Sequence, residues 1–234
     1  MNFTTFVKLI GALLLCPLLS ACRTEFNHCD MEEQHCNDTI VRFAVIGDWG
    51  MWGSSDQRKV AESMAIVGTE CPFDFIVSVG DNFYSNGVTS TEDPLWQSCF
   101  EEVYTSPALK CPWYVVLGNH DYRGQPQAEL DYTSLSDRWV MPGKHFKVSE
   151  NRNNGLGVDL FFMDSNPFQD DIAGTAAHPT LNASDTVIEH GWITNELANS
   201  INQWKFVFAH HPMYTCGMRK QLPQYMRELE IEFA

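Results

Sequence analysis

Phe73-Asp74-Phe75-Ile76-Val77-Ser78-Val79 is an apolar stretch that runs directly into Gly80-Asp81-Asn82-Phe83-Tyr84. Its β-branched and aromatic residues predict a buried β-strand that stops at the glycine. A carboxylate and a phenol follow the strand at once, so both side chains are directed at one point beyond its end. We interpret Asp81 as a ligand that bridges two metal ions and Tyr84 as a ligand of one of them.

Three further apolar runs end in the same way. Val41–Ile46 is followed by Gly47-Asp48, Trp113–Leu117 by Gly118-Asn119-His120-Asp121, and Trp204–Phe208 by Ala209-His210. Because ligands of open α/β sheets collect at the carboxyl ends of the strands, these ends are expected to converge on one crevice. The candidate metal ligands at the strand ends are therefore Asp48, Asp81, Asn119 and His210.

Helical segments are predicted between the strands. Gln57–Val67 places Val60, Met64 and Val67 near helical spacing, with Asp56 available as an N-cap. Further helices are predicted at Tyr132–Trp139, Ser184–Ile201 and Lys220–Glu230, and further strands at Phe146–Ser149 and Val158–Met163. Strands that are apolar throughout belong to sheets that are covered on both faces. The sequence therefore predicts one α/β domain over residues 40–234.

The charge balance restricts the class of ligand. The chain of 234 residues carries 30 Asp and Glu against 15 Lys and Arg, a net charge of -15. This disfavours nucleic acid, whose phosphates are held by clustered Lys and Arg. A small anionic substrate stays possible, because bound metal ions dominate the local field. The sequence has no Walker loop and no Gly-x-Ser-x-Gly, the usual signatures of nucleotide cradling and serine hydrolysis.

The candidate ligands fit a particular chemistry. Oxygen donors combined with imidazole suit iron, zinc or manganese, and two neighbouring cations need a bridging anion such as Asp81. Two such metals polarise a phosphoryl group and lower the pKa of a bound water. The strand ends therefore indicate hydrolysis of a small phosphate ester.

The N-terminus has the layout of an export signal. Lys8 precedes the apolar run Leu9–Leu19, which is too short to span a bilayer comfortably, and small residues follow it. We interpret residues 1–21 as a signal peptide, residues 22–39 as a cysteine-bearing leader, and the protein as secreted or lumenal. Leu19-Ser20-Ala21-Cys22 also resembles a bacterial lipobox, so an alternative is a lipoprotein anchored through Cys22. No transmembrane segment is predicted.

Cysteines and glycosylation acceptors agree with export. Seven cysteines follow the signal segment, an odd number that leaves six for disulfides if Cys22 is lipidated. Asn37 and Asn182 each begin an Asn-x-Ser/Thr sequence and are candidate glycosylation sites in a eukaryotic host.

The ordered motifs Gly-Asp-x-Gly, Gly-Asp-x-x-Tyr, Gly-Asn-His-Asp and Val-x-x-His resemble the metallophosphoesterase (calcineurin-like) superfamily, and specifically the purple, or tartrate-resistant, acid phosphatases. The resemblance covers residues 40–234. Related nucleotidases and phosphodiesterases have a histidine where this chain has Gly50, and Tyr84 stands instead in the second motif. The resemblance implies a four-layer αββα sandwich of two mixed sheets flanked by helices.

The resemblance also implies a role for each motif residue. Asp48 and Tyr84 would bind a ferric ion, whose tyrosinate gives the purple enzymes their colour, and Asp81 would bridge. Asn119 and His210 would bind a divalent ion, which is iron, zinc or manganese. His120 would contact the substrate phosphate or assist the leaving group.

Two departures from the family pattern bear on activity. Histidines that follow the Val-x-x-His motif in the smaller family members are replaced here, and Arg219 stands in that region as a candidate phosphate ligand. The fifth motif, Gly-His-x-His, which supplies one ligand to each metal, is not found. We therefore expect a C-terminally truncated domain in which residues 22–234 alone bind metal weakly and hydrolyse little.

Three functions stay open from the sequence. The leading hypothesis is an acid phosphatase that hydrolyses phosphate monoesters at a dinuclear metal centre. The alternatives are a phosphodiesterase or nucleotidase of the same superfamily, and a catalytically impaired binding protein that lacks the fifth motif.

Overall fold

The computed structural model describes residues 40–152, 155–169, 173–182 and 184–213. The predictions for residues 1–21, residues 22–39, Arg219 and the helix at Lys220–Glu230 lie outside these residues. None of the described helices combines the length and the apolar character that crossing a bilayer requires.

The first sheet is formed by four parallel strands in sequence order. They are β1 (Phe43–Ile46), β2 (Phe75–Ser78), β3 (Trp113–Val115) and β4 (Trp139–Val140). In the register of β1 and β2, Ile46 lies opposite Ser78, and Ser78 lies opposite Val115 of β3. The strands therefore end at nearly the same level, and the loops that carry Asp48, Asp81 and Asn119 leave the sheet along one edge.

The second sheet is mixed and has three described strands. β5 (Phe146–Asn151) pairs antiparallel with β6 (Gly157–Phe162), and β6 pairs parallel with β7 (Trp204–Phe208). The helices that connect the strands are α1 (Ser55–Glu70), α2 (Pro126–Tyr132) and α3 (Asp185–Asn199). Shorter helical turns are formed by Trp96–Glu101, Pro107–Leu109, Asp121–Arg123 and Asn166–Phe168.

Three apolar clusters separate four layers. Alternate residues of β2 point to opposite faces, so that Ile76 packs on the α1 side while Phe75 and Val77 face the second sheet. In β6, Leu160 and Phe162 face the first sheet, and Phe161 packs on the α3 side with Ile193. The order of layers is therefore helix, sheet, sheet, helix. This confirms the predicted αββα sandwich, with a first sheet that is parallel in all its described strands.

One predicted helix is wrong. The segment predicted as a helix at Tyr132–Trp139 contains only the end of α2, and Trp139 begins a strand instead. Pro126 starts α2 earlier, because its fixed φ suits the first helical turn. Trp139 is fully buried and pairs with Trp113 of β3, so tertiary pairing overrides the local pattern.

The buried face of α1 also differs from the prediction. Val60 and Val67 are 47% and 51% exposed, whereas Ala61 and Gly68 are buried against the sheet and the loop beneath it. A Cβ at Gly68 would lie 3.0 Å from the Phe73 ring, so small residues are what this close approach requires. The N-cap is Ser54, whose hydroxyl accepts from the backbone N–H of Gln57, and not Asp56.

Candidate metal centre

The two sheets bring the predicted site residues to one place. Asp48 follows β1 and Asp81 follows β2, and His210 follows β7 of the other sheet. Each of these three side chains offers one ligand atom, and the three atoms lie within 4.8 Å of one another. Because a cation needs several donors at short range, this arrangement suits a metal ion.

Tyr84 joins the two carboxylates. Its hydroxyl oxygen lies 2.6 Å from Oδ1 of Asp48 and 2.8 Å from Oδ2 of Asp81, so the two carboxylates share its single hydrogen. Burial raises the pKa of Tyr84, and the hydrogen bonds and charges of the two carboxylates raise it further. Without a cation the phenol therefore keeps its proton, and the phenolic oxygen stands among the same donors that would surround a metal.

His210 presents one ring nitrogen to the site. Nδ1 lies 2.9 Å from the carbonyl oxygen of Val79, and since a carbonyl only accepts, Nδ1 carries a hydrogen. Nε2 lies 3.5 Å from Oδ1 of Asp81. A backbone carbonyl that fixes the tautomer in this way is the usual support of a metal-binding histidine.

Asn119 offers an acceptor with no donor opposite it. Its side chain is 6% exposed, and its Oδ1 has no hydrogen-bond partner among the described residues. Buried acceptors of native proteins are nearly always satisfied. The neighbouring His120 donates its backbone N–H to Asp81 at 2.8 Å, so Asn119 lies beside the same carboxylate. The orphaned oxygen fits a site that holds a cation.

The backbone of the site lies in an uncommon conformation. Asp48 and Asp81 have φ of 56° and 52°, in the left-handed region that non-glycine residues rarely adopt. A Cβ on Gly80 would lie 2.7 Å from the nitrogen of Gly118 and 2.8 Å from the His210 ring. Strained residues and glycines at such close approaches are concentrated at functional sites.

The packing around position 50 explains why this residue is a glycine. A Cβ at this position would overlap the carbonyl group of Asn82, and Tyr84 donates its backbone N–H to the carbonyl of Gly50 at 2.9 Å. A histidine at position 50 would therefore displace the loop that carries Tyr84. Glycine at 50 and tyrosine at 84 are parts of one packing arrangement.

A buried carboxyl group behind the site ties its loops together. Asp121 accepts the backbone N–H groups of Gly118, Asn82 and Phe83 at 2.8, 2.9 and 3.1 Å. These donors belong to the loops after β3 and β2, so Asp121 fixes Asp81 from behind. The pKa of Asp121 is raised, first by burial and then by the charge of Asp81.

His120 lies over the mouth of the site. Its Nε2 is 3.9 Å from Oδ2 of Asp81, and its Nδ1 is 2.7 Å from the carbonyl oxygen of Ser85. Its ring lies 4.5 Å from that of Tyr84, centroid to centroid. The position of His120 is suitable for contact with a ligand bound at the strand ends of the two sheets.

Several functional residues were not recognised from the sequence. The amide of Asn82 donates to Glu129 at 3.0 Å and its Oδ1 accepts from Ser78 at 2.5 Å, while the indole of Trp49 donates to Ser78 at 2.7 Å. This network links the loops that follow β1 and β2. The position of Asn82 inside the motif was the only local signal for it.

Other predicted site residues lie elsewhere. Arg219 and Asn37 are outside the described residues. Asn182 is exposed, and its side-chain oxygen accepts from the backbone N–H of Ser184 at 3.0 Å. The three cysteines in the described part of the chain, which are Cys71, Cys99 and Cys111, are free thiols. The predicted disulfides therefore find no support among these three.

An αββα sandwich that brings two aspartates, a tyrosine and a histidine together at its strand ends is the arrangement expected of a phosphoesterase. The chain belongs to the calcineurin-like phosphoesterase family, whose sequence model matches residues 41–232.

Similar proteins narrow the relationship within that family. Purple acid phosphatase 3 of Arabidopsis thaliana is 41% identical over 77% of this chain and 50% of its own length. Tartrate-resistant acid phosphatase type 5 of Sus scrofa is 31% identical over 75% of this chain and 55% of its own length. The chain thus spans roughly half the length of these curated relatives. The suspected resemblance to purple acid phosphatases is confirmed.

A solved structure supports the fold independently. The structure titled "GAP50 the anchor in the inner membrane complex of Plasmodium" superimposes with a TM-score of 0.66 at 24% identity, over 83% of this chain and 63% of that one. At this identity the likeness shows the shared fold.

Proposed function

We propose that this chain is an acid phosphatase that hydrolyses phosphate monoesters at a dinuclear metal centre. The observation that carries the proposal is the convergence of Asp48, Asp81 and His210 within 4.8 Å, with the Tyr84 hydroxyl bonded to both aspartates. The similarity to purple and tartrate-resistant acid phosphatases supports the type of reaction.

The family resemblance suggests how the candidate ligands are divided between the two metal ions. Asp48 and Tyr84 would hold a ferric ion, for which a phenolate and a carboxylate are suitable hard ligands, and Asp81 would be a ligand of both ions. Asn119 and His210 would hold a divalent iron, zinc or manganese ion. Bound there, the metals supply the positive charge that polarises a phosphoryl oxygen and lowers the pKa of water.

Three further residues act beside the metal ligands: one contacts the substrate, and two hold the loops of the site. His120 faces the site through Nε2, because Nδ1 is engaged with the Ser85 carbonyl, and its imidazole is placed to contact a phosphate oxygen or the ester oxygen. Asp121 and Asn82 hold the loops rigidly from behind, so that the ligands need little rearrangement when a substrate binds.

Gly50 and Tyr84 support monoesters as the substrate class. Nucleotidases and phosphodiesterases of the superfamily place a metal-binding histidine at position 50, where this chain has no room for a side chain. Export through the signal segment 1–21, with Cys22 as an alternative lipid anchor, completes the proposal, and the exposed Asn182 is accessible for glycosylation.

The test is metal analysis of the full chain and two variants. Because the fifth motif is not found in this chain, we expect the wild type to bind Fe and Zn weakly but measurably in equilibrium titrations, and Asp81→Asn to bind both at least about tenfold more weakly, since it removes the bridging charge. Asp131→Asn, an exposed position on α2, is the matched control and keeps both metals.

Spectra and turnover complete the test. Iron that is bound to Tyr84→Phe lacks the visible tyrosinate band. Whatever the absolute rate, the wild type hydrolyses an aryl phosphate monoester faster than the matched diester. Equal metal content in wild type and Asp81→Asn, or preference for the diester, contradicts the proposal.

A further inference from the structure

Beside His120, at the rim of the proposed site, lies an exposed arginine. Arg123 ends the short helical turn Asp121–Arg123, and its Nη1 lies 3.2 Å from Nδ1 of His120 and 3.5 Å from the carbonyl oxygen of Ser85. The other ring nitrogen of His120 faces Asp81 at 3.9 Å. The guanidinium and the metal ligands therefore stand on opposite sides of one imidazole ring.

The apparent contact between Arg123 and His120 is not a hydrogen bond. Nδ1 of His120 is 2.7 Å from the Ser85 carbonyl, and because a carbonyl accepts only, Nδ1 carries the hydrogen. It has no lone pair left for the guanidinium. Arg123 is left with one long contact to the Ser85 carbonyl at 3.5 Å, which is a weak hydrogen bond at most.

Three other arginines of the described residues have ion-pair or hydrogen-bond partners. Arg138 pairs with Glu101 at 2.9 Å and Arg152 pairs with Asp74 at 2.8 Å, while Arg58 donates to the Gly53 carbonyl at 2.9 Å. No carboxylate among the described residues lies within ion-pair distance of Arg123. In a chain with a net charge of -15, a guanidinium that has no acidic partner beside a substrate-contacting histidine is available to an anion from solution.

We propose that Arg123 binds a second anionic group of the substrate, so that the site prefers phosphate monoesters that carry another phosphate or a carboxylate a few bonds from the ester. The inference rests on the proposed function, which places the first phosphate between the two sheets at Asp81. A substrate that extends from there past His120 reaches the guanidinium, whose planar fork binds a carboxylate or phosphate through two hydrogen bonds.

The test compares two non-hydrolysable ligands on the full chain loaded with Fe and Zn. Phosphonopropionate carries a phosphonate and a carboxylate, and propylphosphonate is its match without the second charge. In calorimetric titration, the wild type is expected to bind phosphonopropionate about tenfold more tightly than propylphosphonate. A difference of this size is what one charge-assisted hydrogen-bonded pair at an exposed site contributes. Arg123→Ala abolishes this preference and changes the dissociation constant of propylphosphonate less than about twofold.

Two variants separate a specific contact from general charge. Arg123→Lys keeps the charge without the fork and retains only part of the preference. Lys59→Ala removes the same charge from α1, where the side chain is 70% exposed, and leaves the preference intact. A preference that persists in Arg123→Ala, or a wild type that binds both ligands equally, overturns this inference and leaves the proposed function standing. A wild type that binds neither ligand overturns the proposed function and this inference with it.

Discussion

Behind the loops of the first sheet lies a pair of buried carboxyl groups, Asp121 and Glu129, and a second pair, Asp164 and Glu189, lies beside the ends of β6 and β7. Three of the four side chains are fully buried, and Glu189 is 2% exposed. Buried carboxylates are costly unless they are protonated, hydrogen-bonded or paired with a cation. The two pairs meet this requirement in different ways.

Among the described residues, the neighbours of the first pair are amide groups, and no basic side chain forms an ion pair with it. Asp121 accepts backbone N–H groups, and the side-chain amide of Asn82 lies 3.2 Å from Asp121 and 3.0 Å from Glu129. Burial is the largest cause that raises the pKa of both carboxyl groups, and for Glu129 the charge of Asp121 follows. This pair therefore keeps a proton at pH values at which free carboxyl groups lose it, and it holds the loops that carry most of the candidate ligands.

The second pair has basic neighbours. Glu189 lies 2.8 Å from Nδ1 of His145. Burial raises the pKa of Asp164, and its hydrogen bonds and the charge of Lys144 oppose that rise. Burial still raises the pKa of Glu189, but only to about 7. Tyr122 donates its hydroxyl to Asp164, and Asn166 donates its side-chain amide at 2.7 Å. The comparison indicates that bound protons compensate the burial of the first carboxyl pair, whereas basic side chains compensate the burial of the second.

The largest stability effect is expected on the first side. Asp121→Ala leaves three buried backbone N–H groups without an acceptor, and each unsatisfied donor costs on the order of 1–3 kcal/mol, so the free energy of unfolding should fall by about 4 kcal/mol. Urea unfolding measures this. Asp131→Ala, an exposed position on α2, is the control and should change stability by less than about 0.5 kcal/mol. A loss below about 1 kcal/mol for Asp121→Ala would show that the loops are held by other contacts.

The strand ends were predictable because their signal is local. At Gly80 and at Gly118, the apolar run, the glycine and the polar ligand are adjacent in sequence, so the pattern alone placed Asp81 and Asn119 at the same edge of a sheet. Sheets covered on both faces followed from runs that are apolar throughout, whereas the αββα layer order was implied by the family resemblance, and the structure confirms both.

The carboxyl pairs were not predictable because their burial is non-local. Glu129 stands in a short polar segment for which the sequence predicted no helix or strand, and only the packing of α2 against the loop of Asn82 encloses it. Trp139 pairs with β3 through contacts far apart in sequence. The proposed role of Arg123 likewise depends on its distance to His120, which its position in the sequence does not predict.

A smaller effect with opposite sign is expected for Glu129→Gln. The pKa of Glu129 is raised above its ordinary value of 4.5, so the folded chain keeps a proton that the unfolded chain releases above about pH 4.5. The free energy of unfolding therefore falls as pH rises from about 4.5 towards the folded pKa. Glutamine has the same shape and needs no proton, so the variant should be more stable than wild type at pH 8, by a margin that grows with pH, and nearly equal to it at about pH 4.5.

Urea unfolding at several pH values measures that difference. Glu92→Gln, at an exposed position, is the matched control and should follow the wild type at every pH. Equal stability of wild type and Glu129→Gln at pH 8 would mean that the first pair is supported by a charge and not by a proton.

The smallest effect is expected for Glu189→Gln. The pKa of Glu189 is raised from 4.5 to about 7, so wild-type stability should fall between about pH 4.5 and 7 through this group and change little above it. Glutamine removes that fall. The hydrogen bond to His145 at 2.8 Å favours the ionised form of Glu189 and so limits the rise of its pKa, which keeps the fall small. The variant should therefore be more stable than wild type at pH 8 in the same unfolding assay, by a smaller margin than Glu129→Gln. If Glu189→Gln instead stabilises the chain as much as Glu129→Gln does, His145 gives no compensation, and the two carboxyl pairs are supported in the same way.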